Sequence, residues 1–208
     1  DKNAELIDCK GDILAPGLVD MRVKSGDPGA EHLETLSSLK EAAAHGGITS
    51  FAILPSTEPV IDTAAMIDSL HLRASRIDGP SLYCYGAITK ELEDDQMAEL
   101  GMMAGAGARA FASGSLSVQN AQTMRRIMTY ASMLDLPVIH HCEDKSLTED
   151  GDMNEGETST RLGMLGQPAA AETIILQRDI ELAKLTGVHY HAAHISTAGA
   201  VAAIRKAK

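Results

Sequence analysis

The chain has 208 residues, of which 44% are hydrophobic and 23% charged, and its formal net charge is −11. The apolar content suffices for one packed core, and the negative charge argues against nucleic acid or an anionic membrane as the main partner. The cysteines at positions 9, 84 and 142 are odd in number and never form a CxxC pair, which favours a reducing compartment. No apolar run approaches the roughly 20 residues that a membrane crossing needs, so we expect a cytoplasmic protein.

Short apolar runs, each followed by a helical stretch, recur along the whole chain. The predicted strands cover residues 18–23, 48–54, 81–88, 108–112, 137–141 and 188–195. The predicted helices cover residues 31–45, 62–76, 94–104, 118–134, 169–186 and 198–208. Successive strand–helix units imply parallel strands that are joined by right-handed crossovers.

This repeat predicts a (βα)8 TIM barrel that is incomplete, with about six βα units present. Polar residues follow the predicted strands, where such a barrel places its active site: Lys24, Ser56, Thr89, Ser113, His141 and His194. A doubly wound open sheet is the alternative, but no GxGxxG motif or P-loop follows any strand. We interpret residues 1–16 as the end of an N-terminal β-element that precedes the barrel, and residues 17–208 as the partial barrel.

Histidines are concentrated at the last two predicted strands, at positions 140, 141, 189, 191 and 194. Neutral imidazoles at adjacent strand ends could converge on one divalent ion, although histidines that serve the core would show the same spacing. Glu143 and Asp144 could orient a ligand or cap the next helix. Cys142 adjoins His141, but neighbouring side chains in a strand point to opposite faces, which argues against a Cys–His pair. The acidic stretch 150–157 lacks the ligand spacing of an EF-hand and is interpreted as a solvated loop.

Several segments, in order and spacing, resemble motifs of the dihydroorotases, which are members of the amidohydrolase superfamily. They are GDILAPGLVD at 11–20, DPG at 27–29, LPSTEPVID at 54–62 (similar to MPNTxPxxD), HCED at 141–144 (similar to HAED) and HAAHIST at 191–197 (similar to HxxHIST). The resemblance implies reversible closure of carbamoyl aspartate to dihydroorotate in pyrimidine biosynthesis. It also implies zinc as the cofactor, with a carboxylate as general acid/base.

The first motif departs from the family pattern DxHxHxRxPG, which here reads DMRVKSGDPG over residues 20–29. Arg22 and Lys24 occupy the positions of the two metal-binding histidines, and Gly26 occupies that of the substrate-binding arginine. Two cations at these positions would repel a dication. Ser56 replaces the substrate-binding asparagine, and Ser113 lies in the segment where an acidic metal ligand is expected. The resemblance therefore places altered substrate-binding positions at Arg22, Lys24 and Ser56.

His141 and His194 match the remaining histidine ligands of the family and are predicted to form a residual zinc site of low occupancy. The general acid/base aspartate is expected beyond Lys208, so the resemblance assigns no catalytic residue within this sequence. These departures predict a dihydroorotase homologue with impaired or absent zinc-dependent catalysis. The resemblance to dihydroorotases also implies a structural role beside aspartate transcarbamoylase, and we expect a homo-oligomer.

Two alternatives remain open from the sequence. The first is an active dihydroorotase, or another cyclic amidohydrolase, that uses an altered centre in which Arg22 and Lys24 contact an anionic substrate such as carbamoyl aspartate or dihydroorotate. The second is a protein that binds such a ligand without turnover.

Overall fold

The computed structural model describes residue 5 and residues 7–93, 96–148 and 151–208. Its strands are β1 (Leu18–Val23), β2 (Ile48–Ile53), β3 (Ser81–Ala87), β4 (Ala110–Ala112), β5 (Val138–His141), β6 (Met153–Asn154), β7 (Gly166–Gln167) and β8 (Tyr190–Ala193). Its helices are α1 (Leu36–His45), α2 (Ala64–Ala74), α3 (Leu100–Gly105), α4 (Ala121–Met133), α5 (Lys145–Thr148), α6 (Glu157–Leu162), α7 (Ala170–Thr186) and α8 (Ala198–Ala207), and a short 3-10 helix covers Lys90–Leu92.

The main sheet has six strands in the order β1-β2-β3-β4-β5-β8, and every neighbouring pair is parallel. Spatial order follows chain order throughout, whereas a doubly wound sheet reverses its strand order at a switch point. The predicted partial barrel is therefore confirmed, and the doubly wound alternative is wrong. No described helix is long and apolar enough to cross a membrane.

The side chains of the strands alternate between two apolar layers. Residues such as Phe51, Ile53 and Phe111 pack outward against the helices in the larger core cluster. Ala52 and Tyr85 belong to a smaller cluster on the opposite, inner face of the sheet. Full burial of an aliphatic or aromatic side chain contributes about 1.5–3 kcal/mol, so the outer layer stabilises most of the fold and leaves the inner face available for a site.

The first helix is shorter than the apolar spacing predicts. Thr35 has extended backbone angles, and its hydroxyl accepts a hydrogen bond from the backbone N–H of Ser38 at 3.2 Å, while the Ser38 hydroxyl accepts from the backbone N–H of Thr35. This reciprocal capping box begins the helix at Leu36. The predicted start at residue 31 is wrong because residues 31–33 form turns.

Short elements fill the segment between β5 and α7, which the sequence predicts to be a loop. Strands β6 and β7 pair in parallel through Met153 with Gly166 and Asn154 with Gln167. The interpretation of 150–157 as a solvated loop is thus wrong at Met153–Asn154, while residue 150 lies outside the described part. Elements of two to six residues carry too little periodicity to be read from sequence. The predicted helix 94–104 is likewise reduced to Leu100–Gly105, and residues 94 and 95 are not described.

The boundary proposed near residue 16 stays a prediction. Residues 1–4 and 6 lie outside the described part, and residues 7–17 contain no strand or helix.

Candidate functional site

Two histidines meet at the carboxyl ends of neighbouring strands β5 and β8. The Nδ1 atoms of His141 and His194 are 3.0 Å apart, and their ring centroids are 5.0 Å apart. His141 shares the inner face with Ile139 by strand alternation. His194 has the same parity as Tyr190 and Ala192, which pack on the outer face. Its left-handed backbone, with φ of 59°, breaks the alternation and brings its ring to His141.

Hydrogen bonds fix the position of His141. Its Nε2 lies 2.8 Å from Oε2 of Glu143, and its backbone N–H donates to the Ser113 hydroxyl at 3.0 Å. The other oxygen of Glu143 accepts from the hydroxyl of Thr148 at 2.6 Å. This hydroxyl and the nearby His141 ring hold the pKa of Glu143 below its usual range, against the opposing effect of burial. Glu143 thus orients the imidazole, and Asp144 caps α5 by accepting from the backbone N–H of Ser146 at 3.0 Å.

His194 is held neutral by its surroundings. Burial, followed by the positive charge of Arg22, lowers the pKa of His194. Its Nε2 is buried and has no hydrogen-bond partner in the described structure. A neutral imidazole with a buried, unpaired nitrogen costs free energy unless a ligand or water satisfies it. This nitrogen is therefore a candidate point of contact for a ligand at this end of the sheet.

The altered first-strand positions lie at the same end of the sheet. Arg22 and Lys24 are exposed at the end of β1, and the charge of Arg22 reaches His194. Ser56 follows β2 and lies beside the loop after β4: a Cβ on Gly114 would be 3.3 Å from the Ser56 hydroxyl. Gly26 has no space for a side chain: a Cβ there would lie 2.9 Å from the carbonyl oxygens of both Ala30 and Glu34.

The residues at this end do not fit a catalytic zinc ion. Such an ion takes three protein ligands and keeps one open position, but His141 and His194 supply only two imidazoles. Arg22 and Lys24 carry positive charge, and the Ser113 hydroxyl is a neutral group that already accepts the His141 N–H. Among the residues that the structure describes, the one group of three converging metal-ligand side chains lies elsewhere.

That group consists of His140, Cys142 and Asp179, all buried on the outer face of β5. The Nε2 of His140 accepts from the backbone N–H of Val118 at 2.9 Å, so its Nδ1 carries the proton and donates to Asp179 at 2.7 Å. Burial raises the pKa of the Cys142 thiol to about 12, which keeps it protonated. Both ring nitrogens are occupied and the thiol is not a ligand anion. The cluster is therefore a hydrogen-bonded part of the core.

Further residues that the sequence analysis missed complete this buried network. The Tyr190 hydroxyl donates to Oδ2 of Asp179 at 2.9 Å, and Nε of Arg178 donates to Oδ1 at 2.9 Å. Arg178 also donates to the backbone carbonyl of Gln119 at 2.9 Å, which ties α7 to the loop before α4. The only signal in the sequence is an Arg–Asp pair within a helix, since His140 and Asp179 are 39 residues apart.

Glu172 on α7 is a second residue that sequence reasoning missed. Its carboxylate accepts from the backbone N–H groups of Ser196 at 3.0 Å and Thr197 at 3.2 Å, and from both hydroxyls. Burial alone would raise the pKa of Glu172, but these four hydrogen bonds outweigh it and hold the pKa below its usual range. Glu172 thereby anchors the segment between His194 and the start of α8.

Comparison with known proteins agrees with this architecture. The sequence model of the family described as "Dihydro-orotase-like" matches residues 11–200. The dihydroorotase of Solibacter usitatus is 46% identical over 201 residues, and that of Pelotomaculum thermopropionicum is 47% identical over 206 residues. These alignments cover 97% and 99% of this chain but 47% and 48% of the relatives. The chain thus spans about half the length of the curated relatives it matches.

Solved structures share the fold at lower sequence identity. The L-hydantoinase (dihydropyrimidinase) of Arthrobacter aurescens superposes with a TM-score of 0.73 at 23% identity, over 92% of this chain and 44% of that one. A dihydroorotase from Saccharomyces cerevisiae in complex with 5-fluoroorotic acid superposes with a TM-score of 0.66 at 15% identity, over 93% and 52%. From the family match and the two curated relatives, the chain belongs to the dihydroorotase-like family.

Proposed function

We propose that this chain is part of a dihydroorotase homologue that has lost ordinary zinc-dependent catalysis and serves in an assembly. The observation that carries the proposal is the donor set at the carboxyl ends of the strands. It contains the imidazoles of His141 and His194, with the charge of Arg22 acting on His194. A dication that enters there meets repulsion from a permanent cation and, among the described residues, finds only two histidine ligands.

The retained fold supports a structural role. The outer core is closely packed, and hydrogen-bonded networks at Asp179 and Glu172 hold the strands and helices together around the altered centre. We propose aspartate transcarbamoylase as the partner and a homo-oligomer as the working form, in a reducing cytoplasm where the three cysteines stay free. Residues 1–16 would then end an N-terminal β-element that precedes the barrel.

A second candidate function is a working cyclic amidohydrolase with an altered centre. The neutral His194, whose Nε2 is buried and unpaired, favours it, because this nitrogen could accept a proton from a substrate. Arg22 and Lys24 would then hold the carboxylates of carbamoyl aspartate or dihydroorotate in place of a metal.

The test is metal analysis and a carbamoyl aspartate cyclisation assay on the purified full-length protein. We expect less than one zinc per chain and no measurable turnover above a buffer control. The double variant Arg22→His with Lys24→His should bind more zinc, because it adds two imidazoles and removes two cations. Arg126→Gln, an exposed change on α4, is the matched control for a loss of positive charge.

The outcomes separate the two candidates. Stoichiometric zinc with normal turnover in the unaltered protein would contradict the proposal. Turnover without zinc that falls in the double variant would establish the altered-centre enzyme, since the two cations would then be needed for substrate binding.

A further inference from the structure

A second cavity lies at the end of the sheet opposite to the histidines. It is about 620 Å³ in volume and opens at the amino ends of β3 and β4, between these strands and the end of α2. This volume is within the range of small-molecule sites. Its lining includes the basic residues Lys40, His71 and Arg109, and one acidic residue, Asp78.

Lys40 is a buried cation in this cavity wall without an acidic partner. It is 5% exposed, and its ammonium donates to the backbone carbonyls of Ala74 (3.0 Å) and Ile77. No carboxylate in the described structure forms an ion pair with it. The two carbonyls lie at the end of α2, where the helix dipole favours a cation. An ammonium has three N–H donors, and these two hydrogen bonds use two of them.

Arg109 and His71 add positive and hydrogen-bonding groups to the same cavity. The Arg109 guanidinium stacks over the Tyr83 ring at 5.2 Å from the centroid, which limits its rotation, and Arg109 is an exposed residue of the cavity lining. A Cβ on Gly107 would lie 3.1 Å from Cε1 of His71. Glycine at this position, where φ is 99°, therefore leaves the imidazole room at the cavity wall.

Glycine also lies beside Lys40, at position 79. A Cβ on Gly79 would lie 3.7 Å from the Lys40 Cβ and 3.8 Å from its Cε, and the backbone there has a φ of 117°. A residue with a side chain at position 79 would strain this backbone, whereas its Cβ would make only ordinary van der Waals contact with the lysine. The cavity lining therefore includes a buried lysine, an arginine and a histidine, with a single acidic residue.

We propose that this cavity is a binding site for a small phosphate-bearing anion. A phosphoryl dianion supplies the counter-charge that Lys40 lacks and accepts hydrogen bonds from the ammonium, the guanidinium and the imidazole together. The site lies at the opposite end of the strands from His141 and His194, so its ligand would act on the barrel without entering the altered centre.

The experiment is a titration of the protein with inorganic phosphate and, separately, with methyl phosphate. Calorimetry measures the affinity, and amide chemical shifts in NMR spectra locate the binding site. We expect binding of inorganic phosphate with the largest shifts at Gly79 and Gly107. Arg109→Gln should weaken it about tenfold through loss of a charge-assisted hydrogen bond, and His71→Gln should weaken it less. Equal binding of methyl phosphate identifies a phosphate ester as the ligand, whereas its exclusion identifies free phosphate.

Two control variants make the test specific. Arg126→Gln removes an exposed cation elsewhere and should leave the affinity unchanged. Arg22→Gln with Lys24→Gln removes the cations at the other end of the barrel and should also leave it unchanged. Loss of binding in this pair with full binding in Arg109→Gln would overturn the proposal, as would no binding of either probe at about 10 mM. Arg109 is exposed, so its variant should fold, and a thermal melt of each variant checks this.

Discussion

His140 and His141 are neighbours in β5, yet they occupy opposite kinds of environment. Both ring nitrogens of His140 are bonded inside the core, to Val118 and Asp179, and its side chain is fully buried. His141 faces the barrel interior, where it meets His194, whose Nε2 has no hydrogen-bond partner among the described residues. Because the strand alternates its side chains, one histidine serves the fold and the next can serve chemistry.

The two faces differ in how far their buried polar groups are satisfied by hydrogen bonds, and so in how much each contributes to stability. On the outer face His140, Tyr190 and Arg178 all donate to Asp179, which rigidifies the packing of α7 on the sheet. On the inner face Nε2 of His194 has no partner among the described residues, and this costs free energy unless a ligand or water satisfies it. Variants on the two faces should therefore differ in stability by several kcal/mol.

Asp179→Ala is expected to have the largest effect, about 3–5 kcal/mol of lost unfolding free energy. It leaves Arg178, His140 and Tyr190 with unpaired polar groups inside the core. Urea denaturation measures the loss. His141→Gln on the inner face should cost less than about 1 kcal/mol, and Glu181→Gln, on an exposed turn of the same helix, is the matched control. Equal losses for Asp179→Ala and His141→Gln would break the comparison between the two faces.

Gly26→Arg should cost about 1–3 kcal/mol through overpacking. It restores the arginine of the family motif, but its Cβ would lie 2.9 Å from two backbone carbonyl oxygens, so the loop after β1 must move. Thermal denaturation measures the loss. Gly105→Ala, at the end of α3 where nothing lies within 4 Å, is the control and should be neutral or slightly stabilising. A Gly26→Arg chain as stable as the original would show that this loop adapts and that the altered centre is open to repair.

Glu172→Gln should have a smaller effect than Asp179→Ala, about 1–2 kcal/mol at pH 7. The pKa of Glu172 is lowered in the folded chain, so its ionised form contributes stability above the unfolded pKa, and this contribution is lost as pH falls through the folded pKa. The difference between the variant and the original chain should therefore shrink on acidification. Unfolding free energies at neutral and acid pH measure it, and a difference that grows at low pH would contradict the assigned role.

The sequence predicts the barrel units well because each buries an apolar strand under an amphipathic helix, and this periodicity is local. The sequence-based predictions are wrong where a capping interaction sets the end of a helix and where an element has only two residues. The capping box at Thr35 and Ser38 begins α1 later than the apolar spacing suggests, and strands of two residues between β5 and α7 leave no pattern. At the site, the motifs identify His141 and His194, whereas the left-handed backbone that turns His194 towards His141 is visible only in the structure.

The sequence by itself determined the family, the parallel order of the units, and the replacement of the first-strand histidines by Arg22 and Lys24. These properties are encoded in residues that are near one another along the chain. Only the tertiary structure decided that His140 is a core residue, that Asp179 and Glu172 hold distant segments together, and that Gly26 has no room for a side chain. Each of these depends on contacts between elements far apart in sequence, where packing and desolvation, rather than local pattern, set the outcome.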